Sequence, residues 1–165
     1  RVGPRSAGAD PGPACYGKGE ALTVTDANLL LGRLDAELFF DGRMGLDRRR
    51  AQDAAAPLAR RLRLSVDALA EGVVRIANAN MERAIRVVSL QRGHDPRQFA
   101  LLAFGGAGGM HACEIASHLD IGTVFVPRFA GVLSALGMLE ADVAKDYVAA
   151  VLRPAAAVEI GRAHV

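Results

Sequence analysis

Phe99-Ala100-Leu101-Leu102-Ala103-Phe104 is a continuous apolar run, and Gly105-Gly106-Ala107-Gly108-Gly109 follows it directly. A short run of that kind suits a strand buried on both faces, as in a parallel sheet. Met110 to Leu119 then reads as a helix. Thr123-Val124-Phe125-Val126 reads as a second strand, stopped by Pro127. Strand, glycine turn, helix and strand make a β-α-β unit, which predicts a parallel pair with a right-handed crossover. The fold class is therefore α/β. Beyond this unit a short helix is expected around Val132 to Leu139, and a further strand around Asp146 to Leu152.

Upstream the pattern is helical. Thr25-Asp26 is expected to open a helix that carries Leu29, Leu30, Leu31 and Leu34 on its apolar side. Asp47 opens a second, basic and Ala-rich, running to about Leu62, which Pro57 should kink or split. Ser65 caps the longest, running to about Arg92 and closed by Gly93. Val66, Leu69, Val73, Ile76 and Asn80 form one stripe along it, and Val74, Met81, Ile85 and Val88 a second. Two stripes predict burial on more than one side. Asn78 and Asn80 interrupt this surface and either bond neighbouring backbone, the favoured reading, or contact a ligand. Asp95-Pro96 makes the turn out of the helix. Arg1 to Leu22 is a Gly/Pro-rich loop, with Cys15 and Tyr16 as signs of order within it.

The chain has 165 residues, 51% of them hydrophobic, which is enough for one domain-sized core. A net charge of +2 and the absence of Trp give no platform for nucleic acid. No apolar run reaches the roughly 18 residues that span a bilayer. Cys15 and Cys113 form no CxxC pair, so a disulfide framework is not expected and the reducing cytoplasm suits the chain.

The chemistry centres on Gly105, Gly106, Ala107, Gly108 and Gly109. Ligands in open α/β sheets bind beyond the carboxyl ends of strands, where this segment falls. Glycines admit positive φ and close backbone approach, and a helix N-terminus favours anions. The segment is not a Walker A loop, having no Gly-Lys-Ser/Thr. It is not G-x-G-x-x-G either, because His111 stands at the third glycine. Two readings stay open: a nucleotide-contacting turn, or a tight turn whose glycines serve packing. His111, in the first turn of the helix, is either a ligand contact or a satisfied interior histidine. Cys113 is expected in the core, and Glu114 with His118 as a solvated pair. Asp10 and Cys15 share the glycine-rich loop and are candidates to reach a substrate or metal. Asp26 is expected to be a helix cap. No catalytic triad or carboxylate pair follows from spacing, and no metal site is assigned.

Several separated stretches then resemble one family. Gly3-Pro4-Arg5-Ser6-Ala7-Gly8-Ala9-Asp10-Pro11-Gly12-Pro13-Ala14-Cys15-Tyr16-Gly17 is similar to a signature of the hydantoinase A/5-oxoprolinase family. So are Thr23-Val24-Thr25-Asp26-Ala27-Asn28-Leu29, Arg92-Gly93-His94-Asp95-Pro96, the glycine segment with His111-Ala112-Cys113, and Gly131-Val132-Leu133-Ser134-Ala135-Leu136-Gly137. Many relatives carry Pro in place of Gly109. The resemblance runs over nearly Arg1 to Leu152. It implies part of an actin/sugar-kinase/heat-shock-chaperone-like ATPase domain, with a helical insert beside the parallel β-α-β unit. It also implies ATP-dependent hydrolysis of a cyclic amide such as a hydantoin or 5-oxoproline, with Mg²⁺ on the phosphates and a B-type subunit or domain as partner. Related subunits serve acetone and acetophenone carboxylases, and a scaffold module without chemistry is a further alternative. In this frame Gly105 to Gly109 is the adenosine-side motif, and the phosphate-gripping Asp-x-Gly-Gly-Thr segments belong upstream. The chain is accordingly expected to be an internal fragment without ATP turnover of its own. Residues 1–22 are read as loop, 23–152 as partial ATPase-like domain, and 153–165 as a non-native or disordered tail. The tail's Glu159-Ile160-Gly161-Arg162-Ala163-His164-Val165 resembles the translation of a sequencing adapter.

Overall fold

The computed structural model describes residues 2–39 and 42–146. Residues up to Leu133 form one unit, and Ser134 onward belongs to a second.

The first unit is built on three helices: α1 (Val24–Leu30), α2 (Arg48–Leu62) and α3 (Val66–Leu90). α1 starts at Thr23, two residues before the expected Thr25. Thr23 Oγ1 accepts from the Asp26 N–H, and the Asp26 carboxylate accepts from the Thr23 N–H. This reciprocal capping box satisfies two donors that the first turn would leave open. At the other end Arg48 donates to the carbonyls of Leu29 and Leu30, at 3.0 and 2.7 Å. A cation there complements both the free carbonyls and the helix dipole.

Asp47 caps α2 as expected, by accepting from the Arg50 N–H at 3.0 Å. Pro57 lies inside α2 without splitting it. The buried face of α2 is Ala51, Ala55 and Ala59, four apart, which lets it pack against α1 and α3 with little side chain between. Ser65 caps α3 through the Ala68 N–H. The expected stripes hold only in part. Leu69, Ala70, Val74 and Asn78 are buried, but Ile76 and Val88 are exposed and so is Asn80. The core here collects Leu29, Leu30, Leu46, Leu69 and Val74.

A smaller layer follows. β1 (Leu101–Leu102) pairs in parallel with β2 (Val124–Phe125), Leu101 opposite Val124 and Leu102 opposite Phe125. Between them runs α4 (Gly108–His118), giving the expected β-α-β order. Ile115, Ala116, Leu119 and Ile121 pack on Leu101 and Val124, with Met81 and Ile85 of α3 closing the cluster. Three expectations need correction here. α4 begins at Gly108, so Gly108 and Gly109 belong to the helix and not to the turn. The regular strands are shorter than the apolar runs. Finally, the sheet is covered on one face only: Leu102, Phe104 and Phe125 are 46%, 52% and 59% exposed. Two strands and one helix among the described residues supply a single covering layer, so side chains that alternate to the other face have nothing to meet.

In the second unit the described structure is the short helix α5 (Leu133–Glu140), close to the expected position and without buried residues. The strand expected over Asp146 to Leu152 lies almost wholly outside the described residues. No described helix is long and apolar enough to cross a membrane.

Candidate functional site

The chain leaves β1 through Ala103 and turns outward at Gly105. Gly105 has φ +85°, a region that side chains with a Cβ rarely enter, and its N–H donates to the Ala130 carbonyl at 2.7 Å. That bond ties the turn to the segment after β2. Ala107 ends the turn as the N-cap of α4, and no side chain caps the helix there. A Cβ added at Gly106 or Gly109 would meet nothing within 4 Å. At Gly108 it would only make ordinary contact with Ala103, 3.9 Å away. Gly105 is favoured by its φ, and among the described residues no close contact requires glycine at Gly106, Gly108 or Gly109. Gly106 and Gly109 leave a bare backbone beside an uncapped helix start, with the exposed rings of Phe104 and Phe129 next to it in the chain and across the Ala130 bond. Chemically, this surface offers N–H donors, room for close approach, and apolar rings for a flat ligand group.

His111 sits one turn into α4 and is buried, 5% exposed. Its Nδ1 lies 2.7 Å from Asn78 Oδ1 on α3. Asn78, expected to bond backbone, instead bonds a side chain 33 residues away. Sequence pattern did carry a signal for this burial: His111, Ile115 and Leu119 are four apart and share the inward face. Cys113 falls off that face and is exposed, against the expectation of a core thiol. Glu114 and His118 do not pair with each other. Glu114 meets Arg33 at 3.3 Å, and His118 meets Glu82 at 2.7 Å. Each finds a partner from another element, which spacing along one helix could not reveal.

Burial holds the His111 imidazole below its ordinary pKa of 6.5; the nearby Arg33 cation adds to this and Glu114 opposes it. The unfolded chain therefore takes up a proton near 6.5 that the folded chain refuses until lower pH. The stability from neutral His111 is complete above that value and is lost as pH falls through and below it. We expect urea midpoints to drop between about pH 8 and about pH 5, and His111→Gln to flatten that drop. An equal drop in the variant would assign the titration elsewhere.

In the N-terminal loop the structure separates Asp10 from Cys15 in environment. Asp10 is exposed and pairs with Lys18 at 3.3 Å. Cys15 is buried in the core, in a short 3-10 turn, Ala14–Tyr16. Burial pushes its thiol up to about 12, helped by the hydrogen bond and charge of Asp26. A thiol held that way is a poor nucleophile and a poor metal ligand. The native protein should take up one equivalent of iodoacetamide at about pH 8, at Cys113, and a second only in denaturant. Rapid labelling of both would overturn this placement.

Asp26 is more than a cap. Its carboxylate is fully enclosed and accepts from the N–H groups of Ala14 (3.2 Å), Cys15 (2.8 Å) and Thr23 (2.8 Å), and from Thr23 Oγ1 (2.7 Å). Arg50 holds the same loop from α2, donating to the carbonyls of Ala14 and Gly19, both at 3.2 Å. Gly19 passes so close to Gly12 O that a Cβ there would collide. The loop is thus pinned by a buried anion and a cation that sequence spacing did not assign to it. Among the described residues no group of three or more His, Cys, Asp or Glu side chains could hold a metal ion. The described residues thus offer no ready-made ligand set for Mg²⁺.

The family model described as hydantoinase/oxoprolinase matches residues 1–147. Caprolactamase subunit alpha of Pseudomonas jessenii is 45% identical over 148 residues, covering 88% of this chain and 21% of that protein. The 5-oxoprolinase of Saccharomyces cerevisiae is 40% identical over 158 residues, covering 88% of this chain and 12% of the other. Among solved structures, an ATP-dependent caprolactamase from Pseudomonas jessenii superposes with a TM-score of 0.75 at 47% identity, over 82% of this chain and 20% of that one. A nucleotide-free acetone carboxylase superposes with a TM-score of 0.77 at 32% identity, over 83% and 20%. The chain spans about a fifth or less of the length of these proteins. With the family model covering all the described residues and the α/β fold shared with both solved structures, the chain belongs to the hydantoinase/oxoprolinase family.

Proposed function

We propose that this chain supplies the adenosine-side turn of the nucleotide cleft in an ATP-dependent enzyme that opens cyclic amides. The observation that carries this is the open backbone at Gly106 and Gly109, beside the uncapped start of α4. Among the described residues nothing packs where a Cβ would stand at either position, which supports a role in admitting a ligand to the backbone. The names of the relatives favour the chemistry: one is a 5-oxoprolinase and another an ATP-dependent caprolactamase, and both substrates are cyclic amides. Gly105, Gly106, Ala107, Gly108 and Gly109 are the residues assigned to nucleotide contact. The remaining parts of the enzyme, including the phosphate grip of an actin-like ATPase and any Mg²⁺ ligands, are assigned to other segments of the family polypeptide. A B-type subunit is the proposed partner, since one relative is itself an alpha subunit of a caprolactamase. The cytoplasm is the proposed compartment.

A second reading, an ATP-dependent ketone carboxylase subunit, is supported by the acetone carboxylase superposition. The higher identity to caprolactamase, 47% against 32%, favours the amide. The test is to assay a complete polypeptide carrying this chain, with its partner, for ADP release. Release with 5-oxoproline, a hydantoin or caprolactam supports the proposal. Release only with ketone and bicarbonate selects the carboxylase, and no release with any substrate returns the scaffold reading.

A further inference from the structure

The bond between His111 Nδ1 and Asn78 Oδ1 has a chemical consequence at the start of α4. An amide oxygen only accepts, so the imidazole must carry its proton on Nδ1. The ring is buried beside Arg33 of the segment after α1 and Glu114 of its own helix. Its charged form is disfavoured there, so one tautomer of the neutral ring is the resting state. The second nitrogen, Nε2, is then a lone-pair acceptor facing away from Asn78. It makes no hydrogen bond among the described residues, and it is not one of the enclosed side-chain atoms without a partner there, which are Asn28 Oδ1 and Asn78 Nδ2. His111 stands three residues after Gly108, the first residue of α4, and helical side chains lean toward the N-terminus, the end where the turn lies.

We propose that Asn78 is a positioning residue: it locks His111 as the Nδ1–H tautomer and so gives the glycine turn a fixed acceptor, Nε2, for a hydroxyl or amino donor of the bound nucleotide. The ligand clause rests on the nucleotide reading of the turn; the tautomer lock does not. Asn78 sits on α3 and reaches the turn only through His111. Its amide nitrogen is enclosed without a partner among the described residues, a cost that a merely space-filling apolar residue would avoid. Specifying one tautomer is a function that sets against that cost.

Long-range proton–nitrogen correlation NMR on the ¹⁵N-labelled chain tests this. His111 should show a protonated Nδ1 and a pyridine-type Nε2. Asn78→Asp keeps an acceptor and should keep that tautomer. Asn78→Leu removes it and should give a mixture. If Asn78→Leu does not fold, the wild-type and Asn78→Asp spectra decide. A wild-type ring protonated on Nε2 overturns the proposal, because it means the Asn78 amide is turned round and donates. On titration with ADP, the Nε2 resonance should move toward hydrogen-bonded values together with the amides of Gly105 to Met110. Asn78→Leu should bind more weakly by the inverse of the fraction of rings left in the Nδ1–H tautomer, about two- to fivefold. Amides that move while Nε2 stays still overturn the ligand clause. If no amide of the turn moves at any ADP concentration, the nucleotide reading itself fails and takes the ligand clause with it, and the tautomer is still read from the ligand-free spectrum.

Discussion

Asp26→Ala should lower the unfolding free energy by about 3–5 kcal/mol in urea titrations, the range seen when one partner of a buried charged network is removed. Four donors converge on this fully enclosed carboxylate. Two come from the loop at Ala14 and Cys15, and two from Thr23 at the start of α1. Alanine would leave the loop amides unsatisfied in a space too enclosed to hydrate them, and would remove half of the capping box. Small domains have about 5–15 kcal/mol in total, so the change is a large share of what holds the chain folded. Asp26→Asn keeps one acceptor oxygen and should cost less than the alanine change. Hydrogen exchange separates this account from a simple cap. Loss of protection at Ala14 and Cys15 as well as at α1 is expected; loss confined to α1 would mean that Asp26 is only a cap, worth nearer 1 kcal/mol.

The second large effect is on binding and not on stability. Gly109 is exposed at the second position of α4, where a side chain meets open space. Gly109→Leu therefore leaves the fold intact, and on helix propensity alone it gains a few tenths of a kcal/mol, up to about 1. A leucine there stands on the bare backbone assigned to the nucleotide. Affinity of a complete polypeptide for ADP should fall at least tenfold, roughly 1.4 kcal/mol or more. Ser117→Leu, exposed near the other end of α4, is the control and should change neither quantity beyond about 0.5 kcal/mol. If Gly109→Leu weakens folding and binding alike, the glycine serves packing and the nucleotide assignment loses its support.

The local features of the fold were the legible ones. Asp47 and Ser65 announced their helices because a cap is made by a side chain and a backbone group three residues on. The β-α-β order was legible from the switch between apolar run, glycines and helical spacing. The start of α1 was also written in the sequence, as Thr23-x-x-Asp26, and the adjacent Thr25-Asp26 drew attention from it. What spacing could not supply was contact at a distance. Asn78 meets His111 across 33 residues, and Asp26 reaches Cys15 across 11. Exposure of Phe104 and Phe125 was hidden for a related reason, since a strand's hydrophobicity does not say which layer will cover it. At the site, the glycines were legible as a turn, and the open space in front of Gly106 and Gly109 was not.

Hydrogen exchange of a complete polypeptide carrying this chain, with and without saturating ADP, measures the central claim most directly. The account predicts slowed exchange at the amides of Gly105 through Met110, with the Asp26-pinned loop at Ala14 and Cys15 unchanged. ADP bound elsewhere, with exchange across Gly105 to Met110 unaltered, would contradict it.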